Sequence, residues 1–188
     1  GLVERDSVAL IFDIETNGLL DEVTKVHCLV IKSTESGNVA TFTGNDIPEG
    51  LERLRKADCI SGHNVIKYDI PVIKKLYPWF SFPNHKVIDT LVMTRLIYAD
   101  IKSTDGDLIR KEKLPSKLFG SHSLEAWGHR LGEYKGDYQG GWEHFSQEML
   151  DYCVQDVEVT AKLFAKVDSL GYSPMAIKLE HQVAWIIA

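Results

Sequence analysis

The sequence predicts an α/β fold in which an antiparallel sheet is extended by alternating helices and strands. Residues 8–12 form an apolar run rich in β-branched and aromatic side chains, which is typical of a central strand covered on both faces. The stretches 26–31 and 36–42 indicate a hairpin joined by a Gly-containing loop. An amphipathic pattern at 48–56, followed by a strand pattern at 59–63, marks the change to αβ units. The first three strands are therefore predicted to be antiparallel.

The later elements follow from capping residues and apolar periodicity. Asp89, at the end of the strand pattern of 86–89, is predicted to cap the helix that follows it. Residues 100–119 mix Asp, Gly, Ser and Pro without a sustained period, so they are predicted to form a long mobile loop. The basic residues of that loop are candidates for contact with a nucleic-acid backbone. Further helices are predicted at 64–76, 91–98 and 124–131, the last of them capped by the segment Ser121-His122-Ser123.

A long helix is predicted from Ser146, its N-cap, to about Leu170. Tyr152 and Asp156 lie one turn apart, so their phenol and carboxylate stand together at the edge of the core-facing stripe. If the helix stood alone, a tyrosine packed in the core beside a solvated aspartate would be the preferred interpretation. The stripe recurs at steps of three and four, so this face should lie on the sheet; it comprises Met149, Cys153, Val157, Thr160, Phe164 and Val167.

Composition places the chain among soluble globular proteins and limits its partners. A length of 188 residues suits one compact domain, and 44% hydrophobic with 26% charged residues excludes a disordered or fibrous chain. The net charge of −6 argues against tight, charge-driven binding of long duplex, so a nucleic-acid role would need metal ions. No apolar run reaches membrane-spanning length, so we expect a cytoplasmic protein without a membrane partner. Reduced core thiols are predicted for Cys28, Cys59 and Cys153.

Two carboxylates stand at the end of the predicted first strand. Asp13 and Glu15 are two residues apart, so on a strand their side chains point to the same side of the sheet. Clustered acids repel unless a cation lies between them, and Mg²⁺ takes oxygen ligands. A strand end that passes into a polar turn is the alternative explanation. Asp69 lies near the start of the helix predicted at 64–76, where a carboxylate is also favoured as a simple cap.

Three motifs, in their order and at their separations, resemble those of the DEDDy group of 3′→5′ exonucleases. They are Asp13-Ile14-Glu15, Asn64-x-x-x-Tyr68-Asp69 and Tyr152-x-x-x-Asp156. Further blocks resemble the proofreading exonuclease domain of family A replicative DNA polymerases from podovirus-type bacteriophages. These blocks are 88–92, 113–115, 119–128 and the tail 179–185, so the resemblance covers nearly the whole chain.

The resemblance implies an α/β, RNase H-like (DnaQ-like) exonuclease fold, with a mixed five-stranded sheet flanked by helices. In that fold the first three strands are antiparallel and the others run parallel to the first. The resemblance also implies that residues 1–172 form the 3′→5′ exonuclease domain and that 173–188 begin the helix leading to an absent polymerase domain. The apolar crowding at 177–187 agrees with a segment built to meet another domain. The implied partners are a single-stranded DNA 3′ end and the polymerase domain of the same polypeptide, in the host cell cytoplasm if the protein is phage-encoded.

The resemblance further assigns a role to each matching residue. Asp13 would bridge two divalent metal ions, Mg²⁺ with Mn²⁺ able to substitute, and Tyr152 would orient the attacking water as part of the catalytic set. A phenol is largely un-ionised near neutrality, so Tyr152 is given a positioning hydrogen bond rather than the role of a base. The remaining catalytic residues and metal ligands would be Glu15, Asp69 and Asp156. The implied substrate-binding residues are Thr16, Leu19, which would wedge against the terminal base, Asn64 and Tyr68.

The main prediction is a metal-dependent 3′→5′ exonuclease that acts on single-stranded or mismatched DNA 3′ ends by two-metal-ion phosphodiester hydrolysis, as the proofreading part of a DNA polymerase. Two alternatives stay open. A free-standing DEDDy exonuclease acting on RNA ends would share every catalytic residue, although the tail argues against it. A catalytically inert interaction module of the same fold should have lost at least one acid, since a clustered, unpaired set costs stability.

Overall fold

One mixed five-stranded sheet forms the centre of the computed structural model, which describes residues 1–3 and 7–188. Its strands are β1 (Ala9–Thr16), β2 (Val26–Ser33), β3 (Val39–Thr43), β4 (Cys59–Gly62) and β5 (Val87–Asp89). The spatial order is β3-β2-β1-β4-β5. Strands β1, β2 and β3 pair antiparallel, whereas β4 and β5 run parallel to β1. The predicted α/β architecture, with three antiparallel strands followed by parallel ones, is confirmed.

Helices cover both faces of this sheet and make a three-layer structure. They are α1 (Ile47–Arg55), α2 (Ile70–Leu76), α3 (Thr90–Ile97), α4 (Lys102–Arg110), α5 (Leu124–Arg130), α6 (Gln147–Ser169) and α7 (Pro174–Ile187). The apolar faces of α1 and α2 share one core with the sheet, whereas α6 packs on the opposite face across β1 and β2. The long helix predicted from Ser146 therefore covers the central strands on one face of the sheet.

Alternate residues of β1 enter different cores. Phe12 and Ile14 pack with α1 and α2, whereas Ala9 and Ile11 pack beneath α6. Because side chains alternate along a strand, the series of Ala9 and Ile11 continues through positions 13 and 15. The pleat of β1 thus directs the predicted acidic pair towards α6.

Three predicted helix caps are confirmed. The side chain of Asp89 accepts a hydrogen bond from Leu91 N, and those of Ser123 and Ser146 cap α5 and α6. Each cap satisfies a backbone N–H that the first helical turn leaves without an intrahelical partner. The predicted core stripe of α6 is buried along its length, and Cys28, Cys59 and Cys153 are buried free thiols.

The helix predicted at 64–76 begins differently from the prediction. Asn64 adopts the left-handed conformation with φ of 64°, a π-helical turn covers Val65–Asp69, and α2 begins only at Ile70. Pro71 gives the reason, because it has no N–H to donate to the carbonyl four residues earlier and its ring crowds that carbonyl. A regular α-helix could not run through this position, so the segment carrying Asp69 has an irregular backbone.

The prediction of an unstructured loop at 100–119 is wrong for its first half, which forms α4. A buried ion pair holds this helix: Asp105 accepts from Arg130 Nε at 3.0 Å and Nη2 at 2.8 Å, and from Gly120 N at 2.9 Å. Burial opposes ionisation of Asp105, but the hydrogen bonds from Arg130 and Gly120 outweigh it and lower the pKa of this carboxyl. The core-facing residue of α4 is an acid, so hydrophobic periodicity could not reveal the helix.

The last helix, α7, packs against the rest of the fold through one of its faces. Ile177 and His181 are buried, and Trp185 packs against the core that contains α2. Met175 and Ile186 are exposed on the other side of the helix. The division at residue 172 stays a prediction. Within the described residues, no helix combines the length and apolarity that a membrane crossing requires.

Replacing Arg130 by Met is expected to lower the free energy of unfolding by about 3–5 kcal/mol, because Asp105 would keep a buried charge without its partner. Urea unfolding at pH 7.5 measures the change. Arg110→Met is the matched control, since Arg110 pairs with Asp107 on the surface and its loss should cost no more than about 0.5 kcal/mol. Equal values for the two variants would contradict the role given to the buried pair.

Candidate active site

The end of β1 delivers two carboxyl groups to the face covered by α6. Asp13 lies opposite Val30 and Glu15 opposite Cys28 in the antiparallel pairing with β2, and the register shifts between Glu15 and Thr16. Such an irregularity re-aims side chains at the end of a strand. Glu15 is only 9% exposed, so its carboxyl group is held within the protein rather than in water.

Helix α6 brings a thiol and a third carboxyl group to the same point. The Cys153 thiol donates to the backbone O of Asp13 at 3.5 Å and lies 3.6 Å from Asp13 Oδ2. Asp156 follows one turn later on α6, and its carboxyl group is within hydrogen-bonding range of Asp13. A residue from the start of the chain thus meets two residues from its last third.

The fourth carboxyl group comes from the π-helical turn after β4. Asp69 is 4% exposed and lies within hydrogen-bonding range of Asp13, so Asp13 stands between Asp69 and Asp156. Asp69 Oδ2 is buried and finds no hydrogen-bond partner among the described residues. Close packing sets this placement, because a Cβ at Gly62 would come 2.8 Å from Phe12 O and 2.3 Å from Val65 Cγ1.

Burial raises the pKa of all four carboxyl groups, and repulsion by neighbouring acids adds to this effect in Glu15, Asp69 and Asp156. Burial raises the pKa of Asp13 to about 6, although hydrogen bonds from its neighbours partly offset the effect. Burial, followed by the charges of Asp13 and Asp156, raises the pKa of Glu15. Burial and then Asp13 raise the pKa of Asp69 and of Asp156. Neighbouring acids, rather than Lys or Arg, are therefore the charges that dominate this cluster.

These residues fit a hard divalent cation. Ligand atoms of Asp13, Glu15 and Cys153 lie within 4.8 Å of one another, and the unpartnered Asp69 Oδ2 offers a further oxygen. Carboxylate oxygens are the ligands that Mg²⁺ and Mn²⁺ prefer. Burial raises the pKa of Cys153, so its sulfur stays a thiol and is a poor ligand for such ions. A cation bound there would offset the burial and the repulsion that raise the pKa of these acids.

Tyr152 borders this cluster at the edge of α6. Its ring lies 6.0 Å from that of Tyr138, whose OH donates to Gly141 O at 2.6 Å. The two tyrosines line a cleft of about 410 Å³ between α6 and the segment 135–139. Burial and the neighbouring charges of Asp156 and Glu15 raise the pKa of Tyr152, so the phenol keeps its proton near neutrality.

The predicted substrate-binding residues fall into separate groups. Tyr68 OH donates to Gly18 O at 2.5 Å, and Thr16 Oγ1 lies 2.5 Å from the same phenol oxygen. Leu19, which follows this turn, is 73% exposed, and its predicted contact with a terminal base stays a prediction. Asn64 lines a different cleft of about 560 Å³ with His63 and Arg95, and none of the four clustered acids lines it.

The four predicted metal ligands and Tyr152 therefore converge, while their catalytic and metal-binding roles stay predictions. Sequence reasoning missed the contact between Cys153 and Asp13, having treated Cys153 as a core thiol. Its position one residue after Tyr152 and three before Asp156 was the available signal. Tyr138 was also missed, because a single aromatic residue in a polar, Gly-rich loop carries no pattern.

Comparison with known families decides the family. A sequence model of the RNase_H superfamily matches residues 10–168, which include all four clustered acids and Tyr152. The chain belongs to the RNase H superfamily. The RNase H fold predicted from the motifs is thereby confirmed, and the acidic end of β1 is the point at which this superfamily member gathers its carboxyl groups.

Relatives of this RNase H domain include two phage polymerases. The DNA-directed DNA polymerase of Enterobacteria phage T3 is 38% identical over an alignment of 224 residues, which covers 95% of this chain and 32% of that polymerase. The corresponding enzyme of Escherichia phage T7 is 37% identical with the same coverage. The chain thus spans about a third of the length of the curated relatives it matches, and the predicted resemblance to phage polymerases is confirmed.

Solved structures share the fold at low sequence identity. Brucella melitensis NrnC with bound Mg²⁺ superposes with a TM-score of 0.63 at 16% identity, covering 95% of this chain and 82% of NrnC. The zinc-bound complex of E. coli ExoI with ssDNA gives a TM-score of 0.56 at 18% identity, covering 89% of this chain and 41% of ExoI. The RNase H fold is what these similarities establish.

Without divalent metal, this RNase H domain is expected to lose stability as the pH rises from about 5 to about 8. The folded-state pKa of Asp13 is about 6 against an ordinary 3.8, and that of Glu15 is also raised. In this window the folded chain binds more protons than the unfolded chain, so the free energy of unfolding falls with rising pH and this contribution is lost above the folded pKa. Urea unfolding in EDTA measures the slope.

The matched control for this pH dependence is Glu15→Gln, which removes one repelling charge. Its metal-free slope between pH 5 and 8 should be shallower than that of the unchanged chain, since fewer raised carboxyl groups remain. Saturating Mg²⁺ should restore stability at pH 8 in the unchanged chain, because a ligand that binds only the folded state stabilises it. Identical slopes for the two proteins would refute the assignment of the pH effect to this cluster.

Proposed function

We propose that this chain is a metal-dependent 3′→5′ exonuclease that removes nucleotides from single-stranded or mismatched DNA 3′ ends, as the proofreading part of a DNA polymerase. The observation that carries the proposal is the convergence of Glu15, Asp69 and Asp156 on Asp13, with Asp69 Oδ2 left without a hydrogen-bond partner among the described residues. A nuclease that uses divalent ions has a reason to keep such an arrangement. In a protein that binds no ions, the repulsion among these carboxyl groups would only lower the stability of the fold.

Two divalent ions, Mg²⁺ in the cell and Mn²⁺ as a substitute, would supply Lewis acidity and an activated water for phosphodiester hydrolysis. Asp13 stands between Asp69 and Asp156, which suits a ligand shared by both ions. Glu15 and Asp156 would hold the first ion with Asp13. Asp69 would hold the second ion with Asp13, and that ion would stabilise the charge that develops on the leaving 3′ oxygen.

The chain's own contribution is to orient the reacting groups. Tyr152 keeps its proton near neutrality, so its O–H can hold the attacking water by a hydrogen bond. Its ring is fixed beside Tyr138, which limits the positions the hydroxyl can take. Orientation of this kind contributes rate without proton transfer by the phenol itself.

Selection of a melted end follows from the shape and charge of the surface. Leu19 projects into solvent next to the turn held by Thr16 and Tyr68, and it would wedge against the terminal base. The net charge of −6 argues against a tight, charge-driven grip on long duplex. A paired end must lose its pairing energy before it reaches the acids, whereas a mismatched end loses less.

DNA is proposed as the substrate because the relatives at 37–38% identity are DNA-directed DNA polymerases, and the ExoI complex contains ssDNA. The same relatives support a polymerase domain of the same polypeptide as partner, in the cytoplasm of an infected host cell. The RNA-specific alternative shares every site residue, so only a substrate comparison separates it. An inert module is disfavoured because all four acids and Tyr152 are present.

Asp13→Ala is expected to lower the single-turnover rate by several orders of magnitude, because it removes the ligand shared by both ions. Its metal-free stability should stay equal or rise, since one repelling charge is gone. Asp46→Ala, at an exposed acid without a side-chain cap bond, serves as the control and should keep the full rate. Substantial cleavage by Asp13→Ala would remove the basis for a shared ligand.

Tyr152→Phe is expected to be milder and to lower the rate about ten- to a thousandfold, because it removes one oriented hydrogen bond and keeps the ring. The measurement is the single-turnover rate at saturating Mg²⁺, with the affinity for single-stranded DNA determined separately. A loss as large as that of Asp13→Ala would contradict a positioning role and require a chemical one.

Polarity and substrate class are tested with a 5′-labelled single strand in Mg²⁺. We expect a ladder that shortens from the 3′ end with release of mononucleotides, faster removal of mismatched than of paired ends, and no cleavage of a closed circular strand. The control is the same strand with a blocked 3′ terminus. Cutting of the circle would exclude an exonuclease, and preferential digestion of a matched RNA strand would favour the RNA-specific alternative.

A further inference from the structure

The backbone that carries Asp69 is held by another buried acid, Asp89. The left-handed residue Asn64 donates its N–H to Asp89 Oδ1 at 2.8 Å, and Ile66 donates its N–H to Asp89 Oδ2 at 3.1 Å. These two donors stand at the start of the π-helical turn that ends at Asp69. Regular helical bonding cannot satisfy them, because the first N–H groups of a helical segment have no intrahelical acceptor.

Asp89 is saturated by N–H donors, unlike the acids of the candidate active site. It is 1% exposed, and Oδ1 also accepts from Leu91 N at 2.9 Å. No Lys or Arg forms a salt bridge with it among the described residues. Both carboxylate oxygens are thus used to orient backbone, which leaves Asp89 no role as a ligand.

The backbone of the same residue is fixed from α7. Asp89 N–H donates to His181 Nε2 at 2.9 Å, and His181 Nδ1 lies 2.8 Å from Ile177 O. Because a backbone N–H can only donate, Nε2 is the acceptor and the proton resides on Nδ1, where it donates to Ile177 O. Burial lowers the pKa of His181, which keeps the ring neutral and able to accept.

We infer that Asp89 and His181 are positioning residues for Asp69, so that α7 is part of the nuclease site. The inference rests on the proposed function. His181 fixes the main chain of Asp89, and the Asp89 carboxylate fixes the turn that aims Asp69 at Asp13. Helix α7 also packs on α3 and on the π-helical turn itself, so loss of the His181 contact frees one end of this arrangement.

The consequence concerns the ion on the Asp69 side. Asp69 Oδ2 has no hydrogen-bond partner among the described residues, so its direction depends on the backbone beneath it. Groups that orient a metal ligand typically contribute ten- to a hundredfold in metal affinity. Weakening the His181 contact should therefore loosen one ion of the pair and spare the one held by Glu15 and Asp156.

The test uses two variants of His181, each of which preserves the hydrogen bond of a different ring nitrogen. His181→Gln keeps an acceptor near the position of Nε2, whereas His181→Asn keeps a donor near Nδ1 and removes the acceptor for Asp89 N–H.

Mn²⁺ binding is followed by electron paramagnetic resonance without DNA, and the rate is measured as a function of Mg²⁺ concentration. His181→Asn should weaken the second Mn²⁺ about tenfold and lower kcat about tenfold. KM for single-stranded DNA should stay within about twofold, and His181→Gln should restore most of the loss.

Leu114→Ala is the stability control, because Leu114 packs with Leu118 and Ala126 in a separate hydrophobic cluster. It should lower the free energy of unfolding and leave both Mn²⁺ sites unchanged. A His181→Asn protein with unchanged Mn²⁺ binding, or a Leu114→Ala protein with the same Mn²⁺ loss, would overturn the positioning role alone. Absence of any Mn²⁺ binding by the unaltered chain would overturn the proposed function and this inference together.

Discussion

Repulsion among carboxyl groups at the end of the central strand is the constraint on which the rest of the structure depends. Two unit charges about 4.8 Å apart repel by about 3 kcal/mol at an effective dielectric near 20, and four acids make several such pairs. The pleat of β1, the turn after β4 and helix α6 each deliver an acid to this point. The fold can hold these acids together because the packed sheet is rigid. Only protons or cations can relieve the repulsion between their carboxyl groups.

The buried acids of this chain divide into two kinds by what their oxygens meet. Asp89 and Asp105 have their oxygens bound by backbone N–H groups or by Arg130, so they act as structural anchors. In the described part of the chain, Asp69 keeps an oxygen without a donor, and the acids near Asp13 meet mainly one another. An acid whose oxygens are bound by hydrogen-bond donors shapes the backbone, whereas an acid with an oxygen left without a donor is free to bind a cation. Burial alone would not distinguish these two kinds of acid.

The sequence was informative where short-range rules apply. Periodicity located β1 and the core stripe of α6, capping chemistry located Asp89 and Ser146, and strand alternation put Asp13 and Glu15 on one side. Prediction from the sequence failed where contacts between residues distant along the chain determine the local structure. Helix α4 depends on Arg130, the turn before α2 on Pro71 and Asp89, and the role of His181 on packing that no local pattern encodes.

The distance along the chain between Asp13 and Cys153 has a consequence for the order in which the protein forms. The β-hairpin of β1 and β2 needs only neighbouring residues, whereas α6 must close a separation of 140 residues to meet Asp13. During synthesis the hairpin can form long before α6 has been made, and it then carries Asp13 and Glu15 without Tyr152 or Asp156. A growing chain therefore contains an incomplete acidic centre, and its four carboxyl groups come together only after α6 has been made and has packed on β1.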